Sequence, residues 1–274
     1  MFRKLVKYEW SAMIRSMAPI YGAAIAVSVL NSLFLNMMVE GDGLIARFWE
    51  WLTTYFGGIV VFLYIAVLAV LCAYTCVITI QRFYKGLLGR EGYLMFTLPV
   101  KNWQLVFSKA LVSFLIGMLS MAVAVLCIGT LGGFQFFKAF IMAPGVIREL
   151  LVQAFAYDQN FSVQMLLFCG ELLLAFFIAY FASIYHVYFA VSLGHMAKNH
   201  RAFLSVVWYI VISSVLGFLT VTGIDKFSVF MDRFQFAYGG IHVLGIAMIL
   251  SQLAEAVLLA LGTGWILKRK LNLE

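Results

Sequence analysis

Apolar residues run along this chain in long uninterrupted segments separated by short polar stretches, and the length of those segments decides the architecture. A helix needs about 20 predominantly apolar residues to cross the hydrocarbon core of a bilayer. Six segments reach that length, at approximately 18–38, 57–80, 109–133, 164–192, 203–222 and 241–267. The pattern predicts an all-α, polytopic membrane protein with six transmembrane helices. The fourth segment is long enough to tilt or to project beyond the bilayer. No gap between segments exceeds roughly 30 residues, short of a typical soluble domain, so residues 1–274 read as a single transmembrane domain.

The shorter stretches carry patterns of their own. Phe2, Leu5, Val6, Trp10, Met13, Ile14 and Met17 recur at helical spacing, with Arg3, Lys4, Lys7, Ser11 and Arg15 between them. Residues 1–17 are therefore expected to form an amphipathic elbow helix on the membrane surface, set apart from the first span. Residues 134–162 place Phe136, Phe137, Phe140, Ile141, Ile147, Leu150, Leu151 and Phe155 around an interruption at Pro144 and Gly145. Two short surface helices joined by a turn are expected there, on the extracytoplasmic side.

Composition agrees with the pattern. Hydrophobic residues make up 64% of the chain and charged residues 11%, against about a quarter charged in soluble domains. The net charge of +7 lies in the connectors rather than in one basic patch, so it argues for membrane topology and against nucleic acid. With the N-terminus inside, the inner regions hold 14 Lys and Arg residues and the outer regions 5. The positive-inside rule then predicts cytoplasmic N- and C-termini. The N-terminal stretch has no A-x-A-like site, so the first span is expected to be a retained anchor.

Candidate chemistry is sparse. Cys72, Cys76, Cys127 and Cys169 all fall in apolar segments and are expected to be core packing residues. His195 and His200 are five apart and would not share a helix face, so no metal site is expected from them. The chain has no G-x-x-x-x-G-K-[ST] loop for nucleotide phosphates and no nucleophile or metalloprotease pattern. It is not expected to be an enzyme or to hold a cofactor of its own. Two acids lie within spans, Glu171 and Glu255. A charge at the bilayer centre costs about 2.5–3.5 kcal/mol, so such groups usually face a bundle interior or an aqueous cavity. Both are candidates to line a translocation path, with Glu255 nearer mid-span and neither given an evident basic partner.

The connector at 81–109 is unlike the others. It reads QRFYKGLLGREGYLMFTLPVKNWQLVFSK, basic and yet strongly apolar. Phe83, Tyr84, Leu87 and Leu88 form one apolar face of a short helix. Gly86, Gly89 and Gly92 shape turns, a second apolar run follows from Tyr93 to Val100, and Asn102 opens the next helix. A loop this apolar in a basic inner region needs a surface to bury it.

At this point the chain resembles the type 2 (ABC-2) family of bacterial ABC exporter permeases. The resemblance rests on KLVKYEW near the N-terminus, on RFYKGLLGREGYLMFTLPV after the second span, and on six spans with cytoplasmic termini. It implies a permease subunit in the bacterial cell membrane that moves substrate outward when a separate ATPase subunit, holding ATP and Mg, acts on a cytoplasmic coupling helix. By resemblance that coupling falls on Phe83, Tyr84, Leu87, Leu88, Glu91, Tyr93 and Leu94. A second permease subunit, identical or related, is the implied membrane partner, in contact with lipid. An antimicrobial peptide or other amphipathic compound is the implied substrate. Two readings from other classes stand beside it: a non-pumping scaffold or immunity protein, and a proton-coupled secondary transporter supported by Glu255.

Overall fold

A computed structural model describes residues 2–36, 44–89, 92, 95, 97, 100–130, 133–157, 159–197, 199–234 and 239–269. Among these residues the chain is all helix: α1 (Phe2–Asn36), α2 (Leu44–Phe83), a π-helical turn (Tyr84–Leu88), α3 (Asn102–Thr130), α4 (Gly133–Tyr157), α5 (Gln159–His195), α6 (Arg201–Phe234) and α7 (Gly239–Arg269). Six of the helices are long and apolar enough to cross a membrane, over Phe2–Leu33, Thr54–Leu88, Asn102–Thr130, Ser162–His195, Arg201–Gly223 and His242–Lys268. The protein is an all-α, multi-pass membrane protein. At about 1.5 Å per residue α5 is roughly 55 Å long, well beyond the hydrocarbon core of about 30 Å.

Three elements differ from the sequence reading. The stretch 1–17 is not a separate elbow: α1 runs unbroken from Phe2 to Asn36, with Pro19 inside it. Likewise α4 is one helix through Pro144 rather than two helices and a turn. Proline removes one backbone hydrogen bond and its ring presses on the preceding turn, but flanking helix formers on both sides carry the helix past it. The third is the start of the 81–109 connector, where α2 continues beyond the expected span end and then widens into the π-helical turn.

Contacts divide the chain into two compact units whose boundaries fall inside helices rather than at linkers, a finer division than the single bundle expected. One unit comprises Lys7–Thr79 and Leu115–Val152. Its interior is a seam of hydroxyls. The Tyr21 hydroxyl lies 2.7 Å from Ser120 Oγ, Thr75 donates to the same Ser120 oxygen at 3.0 Å, and Ser28 donates to the Cys127 carbonyl at 3.1 Å. Ser28 also bonds Thr130. Small polar residues of this kind join helices where lipid offers no hydrophobic drive for association. Cys127 is buried in the unit, whereas Cys72 and Cys76 are exposed on α2; Cys169, on α5, is exposed too. Three of the four cysteines thus sit on the apolar outer surface instead of in a core.

The other unit comprises Met1–Val6, Ile80–Phe114 and Gln153–Glu274. Its core draws on Phe83, Leu87 and Leu88 after α2, Leu105, Val106 and Ala110 of α3, Ile184, Tyr185, Tyr188 and Val191 of α5, and Leu259 and Leu267 of α7. The Phe2 ring stacks on Phe107 at 5.9 Å, so the first turn of α1 belongs to this unit. Helices α5 and α7 run side by side: Gly262 lies against the Phe189 ring, where a Cβ would come within 2.6 Å, and Gly245 lies under the Glu171 carboxylate. The two contacts keep nearly the same sequence offset, as parallel helices require. Helix α6 packs on α5 and leaves Phe203, Val206, Ile210, Phe218 and Leu219 exposed, the surface expected where side chains face lipid.

Candidate functional site

Two places in the second unit gather the residues singled out from the sequence. The first is the seat of the π-helical turn. The Gly89 N–H donates to the Tyr84 carbonyl at 2.8 Å, one residue further back than an α-helical bond, and the Gly92 N–H donates to Gly89 O at 2.9 Å. Such widened turns inside helices often mark functional positions. Glycine is required at position 92, where a Cβ would collide with the Leu87 carbonyl; a Cβ on Gly86 would lie 2.6 Å from Nζ of the buried Lys109, the mobile end of a side chain that can shift.

The turn is fastened to α3 and α5. The Phe83 ring stacks nearly flat on Tyr188, with centroids 4.0 Å apart and planes 12° off parallel. The Tyr188 hydroxyl lies 2.9 Å from Ser113 Oγ, which ties the same stack to α3. At the end of α5, His195 Nε2 lies 2.9 Å from the Leu88 carbonyl oxygen. A carbonyl can only accept, so this nitrogen carries the proton and donates it. The bond satisfies one of the carbonyls left without an intrahelical partner where a helix ends. The His195 ring also stacks on Tyr84 at 5.6 Å.

This geometry corrects part of the coupling surface expected from the sequence. Phe83 and Leu87 are 0% exposed and Leu88 is 4% exposed, all within the core of their own chain. Their apolar face is covered by α3 and α5, so a partner protein cannot touch it in this arrangement. Of the seven expected coupling residues Tyr84 alone is seen to keep an exposed surface, at 38%. Glu91, Tyr93 and Leu94 lie outside the described residues. Elsewhere in the connector Lys85, Thr97, Lys101 and Trp103 are exposed, the last at 59%. Asn102, expected to cap α3, is its first helical residue, so Lys101 holds the cap position and its carbonyl accepts from the Gln104 N–H at 2.8 Å.

The second place is the α5–α6–α7 face that holds both intramembrane acids. Glu171 of α5 has a partner that sequence reasoning missed: His242 Nδ1 lies 2.9 Å from its Oε1, with the two side chains 20% and 17% exposed. Its second oxygen, Oε2, is buried without a hydrogen bond and sits over Gly245. His242 fell at the edge of the last apolar segment, and the histidines were weighed only as metal ligands. A parallel pairing of the fourth and sixth spans would have brought it beside Glu171. Among the described residues no group of three metal-ligating side chains is present.

Glu255 is half-buried on α7 and lies within electrostatic reach of His186 on α5. His186 is buried, stacks on Tyr209 of α6 at 4.8 Å, and has its Nε2 3.4 Å from Ser213 Oγ. Glu255 also lines a half-open cavity of about 660 Å³ between α6 and α7, with Leu219 and Leu258 exposed at its rim. The cavity walls are apolar, among them Leu216, Leu219, Leu244, Met248 and Leu258. Glu171 and Glu255 therefore belong to separate sites: the first is paired, and the second faces open space.

No protein-family model, curated protein or solved structure matches the chain.

Proposed function

We propose that this chain is the permease subunit of an ATP-driven exporter of the type 2 ABC class, inserted in a bacterial cell membrane with both termini in the cytoplasm. The observation that carries the reading is the seat of residues 83–89. A basic connector between two spans begins with a π-helical turn whose inner face is locked to α3 and α5 by the Phe83–Tyr188 stack and the His195–Leu88 bond. A push on such an element moves α5 rather than dissipating in a loose loop. The resemblance of RFYKGLLGREGYLMFTLPV to the coupling region of those permeases points the same way, as does the absence of a nucleotide-binding loop from the sequence.

On this account the motor is a separate ATPase subunit binding ATP and Mg, and it grips the outer side of the connector, around Tyr84, Lys85 and Trp103, rather than the buried face. A second permease subunit completes the path. The test is ATP hydrolysis by the ATPase encoded beside this chain, measured in liposomes with and without it. At least a twofold change in turnover on adding the chain is expected. Identical turnover, with the chain correctly inserted, would remove the reading.

A proton-coupled transporter is the second reading, favoured by the Glu171–His242 pair and by the proximity of Glu255 to His186. It requires substrate movement driven by a pH gradient in liposomes that contain this chain alone.

A further inference from the structure

We propose that the cavity between α6 and α7 binds an amphipathic cation, a molecule with one ammonium group on an apolar body, and that Glu255 is its counter-ion. At about 660 Å³ the cavity falls in the range of small-molecule sites, roughly 300–1,000 Å³. Leucines and Met248 make most of its wall, and the thioether can adapt to bodies of different shape. The polar groups in the lining are Thr220, Ser251, Gln252 and Glu255; no lysine, arginine or histidine is among them.

The two hydroxyls and the carboxylate are short of a donor rather than of an acceptor, while the Gln252 amide brings an acceptor oxygen and two N–H groups. The Thr220 hydroxyl donates to Gly217 O at 2.9 Å and the Ser251 hydroxyl to Met248 O at 2.9 Å, which leaves both oxygens only lone pairs to offer. Gln252 Oε1 has no hydrogen-bond partner. Glu255 makes no hydrogen bond or ion pair to a described residue. A carboxylate in an apolar wall with no lysine or arginine in the lining repels anions and gains nothing from a neutral hydrocarbon. An N–H-bearing cation satisfies the charge and the lone pairs together, while its apolar body fills the remainder. The cost of a carboxylate in the membrane is then offset by its guest.

Reading the bound cation as cargo rests on the permease function proposed above; the binding itself does not, and it is measured without any ATPase. The purified chain in phosphatidylcholine nanodiscs is titrated with tritiated octylamine, with protein-free nanodiscs as background. Saturable binding is expected, with octanol, of equal length and no charge, failing to displace it. Glu255→Gln should weaken the affinity at least tenfold. Gly223→Leu should do the same with the charge intact, because Gly223 lines the cavity and a Cβ there meets nothing within 4 Å. No saturable binding would overturn the site, and so would displacement by octanol equal to that by octylamine. Unchanged affinity in either variant that keeps the wild-type melting temperature would overturn it as well. If Glu255→Gln does not fold, Gly223→Leu decides alone. Binding here with no effect on an ATPase would retain the site and remove the exporter, and the reverse result would do the opposite.

Discussion

Leu87→Ala separates a buried seat from a partner-facing surface. Leu87 is 0% exposed and lies in a cluster with Leu105, Tyr188 and Leu259. The substitution deletes three carbons. At about 0.8 kcal/mol per buried carbon the transfer loss is about 2.4 kcal/mol where water is the reference, and the residual cavity adds to it. Where the reference is lipid, the transfer share falls away and the lost packing leaves about 1 kcal/mol. Tyr84→Ala, at a residue 38% exposed, removes a larger side chain but mainly its stacking on His195, worth about 0.5–1.5 kcal/mol at most. Thermal unfolding of the detergent-solubilised chain, followed by size-exclusion fluorescence, should therefore show Leu87→Ala destabilised by at least about 1 kcal/mol against the wild type. A wild-type melting temperature for Leu87→Ala would refute the buried seat.

Other expectations follow from the same geometry. His195→Ala leaves the Leu88 carbonyl without its donor and should cost about 1–3 kcal/mol in the same unfolding assay, with His195→Gln recovering part of it. A double-mutant cycle on Glu171→Ala and His242→Ala should return a coupling of about 0.6–1.7 kcal/mol, the range found for hydrogen bonds between membrane helices. Zero coupling would mean that the pair is not formed. Gly92→Ala drives a Cβ into the Leu87 carbonyl and should destabilise by about 1–3 kcal/mol, where an ordinary exposed glycine would tolerate alanine.

The spans were legible because twenty apolar residues in a row have few other uses, and Glu171 and Glu255 stood out against them for the same reason. What hydropathy could not supply was the identity of the covering surface. Phe83, Leu87 and Leu88 read as a face in need of burial, and they are buried, but by α3 and α5 of their own chain. The same blindness affects the cysteines: in a bilayer a lipid-facing position is as apolar as a core one, so Cys72, Cys76 and Cys169 looked like Cys127. Pro144 with Gly145 reads as a break when its local cost is weighed without the long helix on either side of it. His242 escaped notice because its partner lies 71 residues away on a parallel helix, a relation that no local pattern encodes.

Co-purification tests the central claim most directly. The chain is solubilised from its native membrane, as wild type and as Tyr84→Ala/Lys85→Glu, which alters the exposed side of the connector and spares Phe83, Leu87 and Leu88, and the co-purifying proteins are assayed for an ATPase subunit. The account predicts that the wild type retains the ATPase and that the variant loses it while remaining folded, with its melting temperature lowered only as far as the lost Tyr84–His195 stack requires. A wild-type chain that is folded and inserted yet holds no ATPase, or a variant that holds it as well as the wild type, would contradict the account.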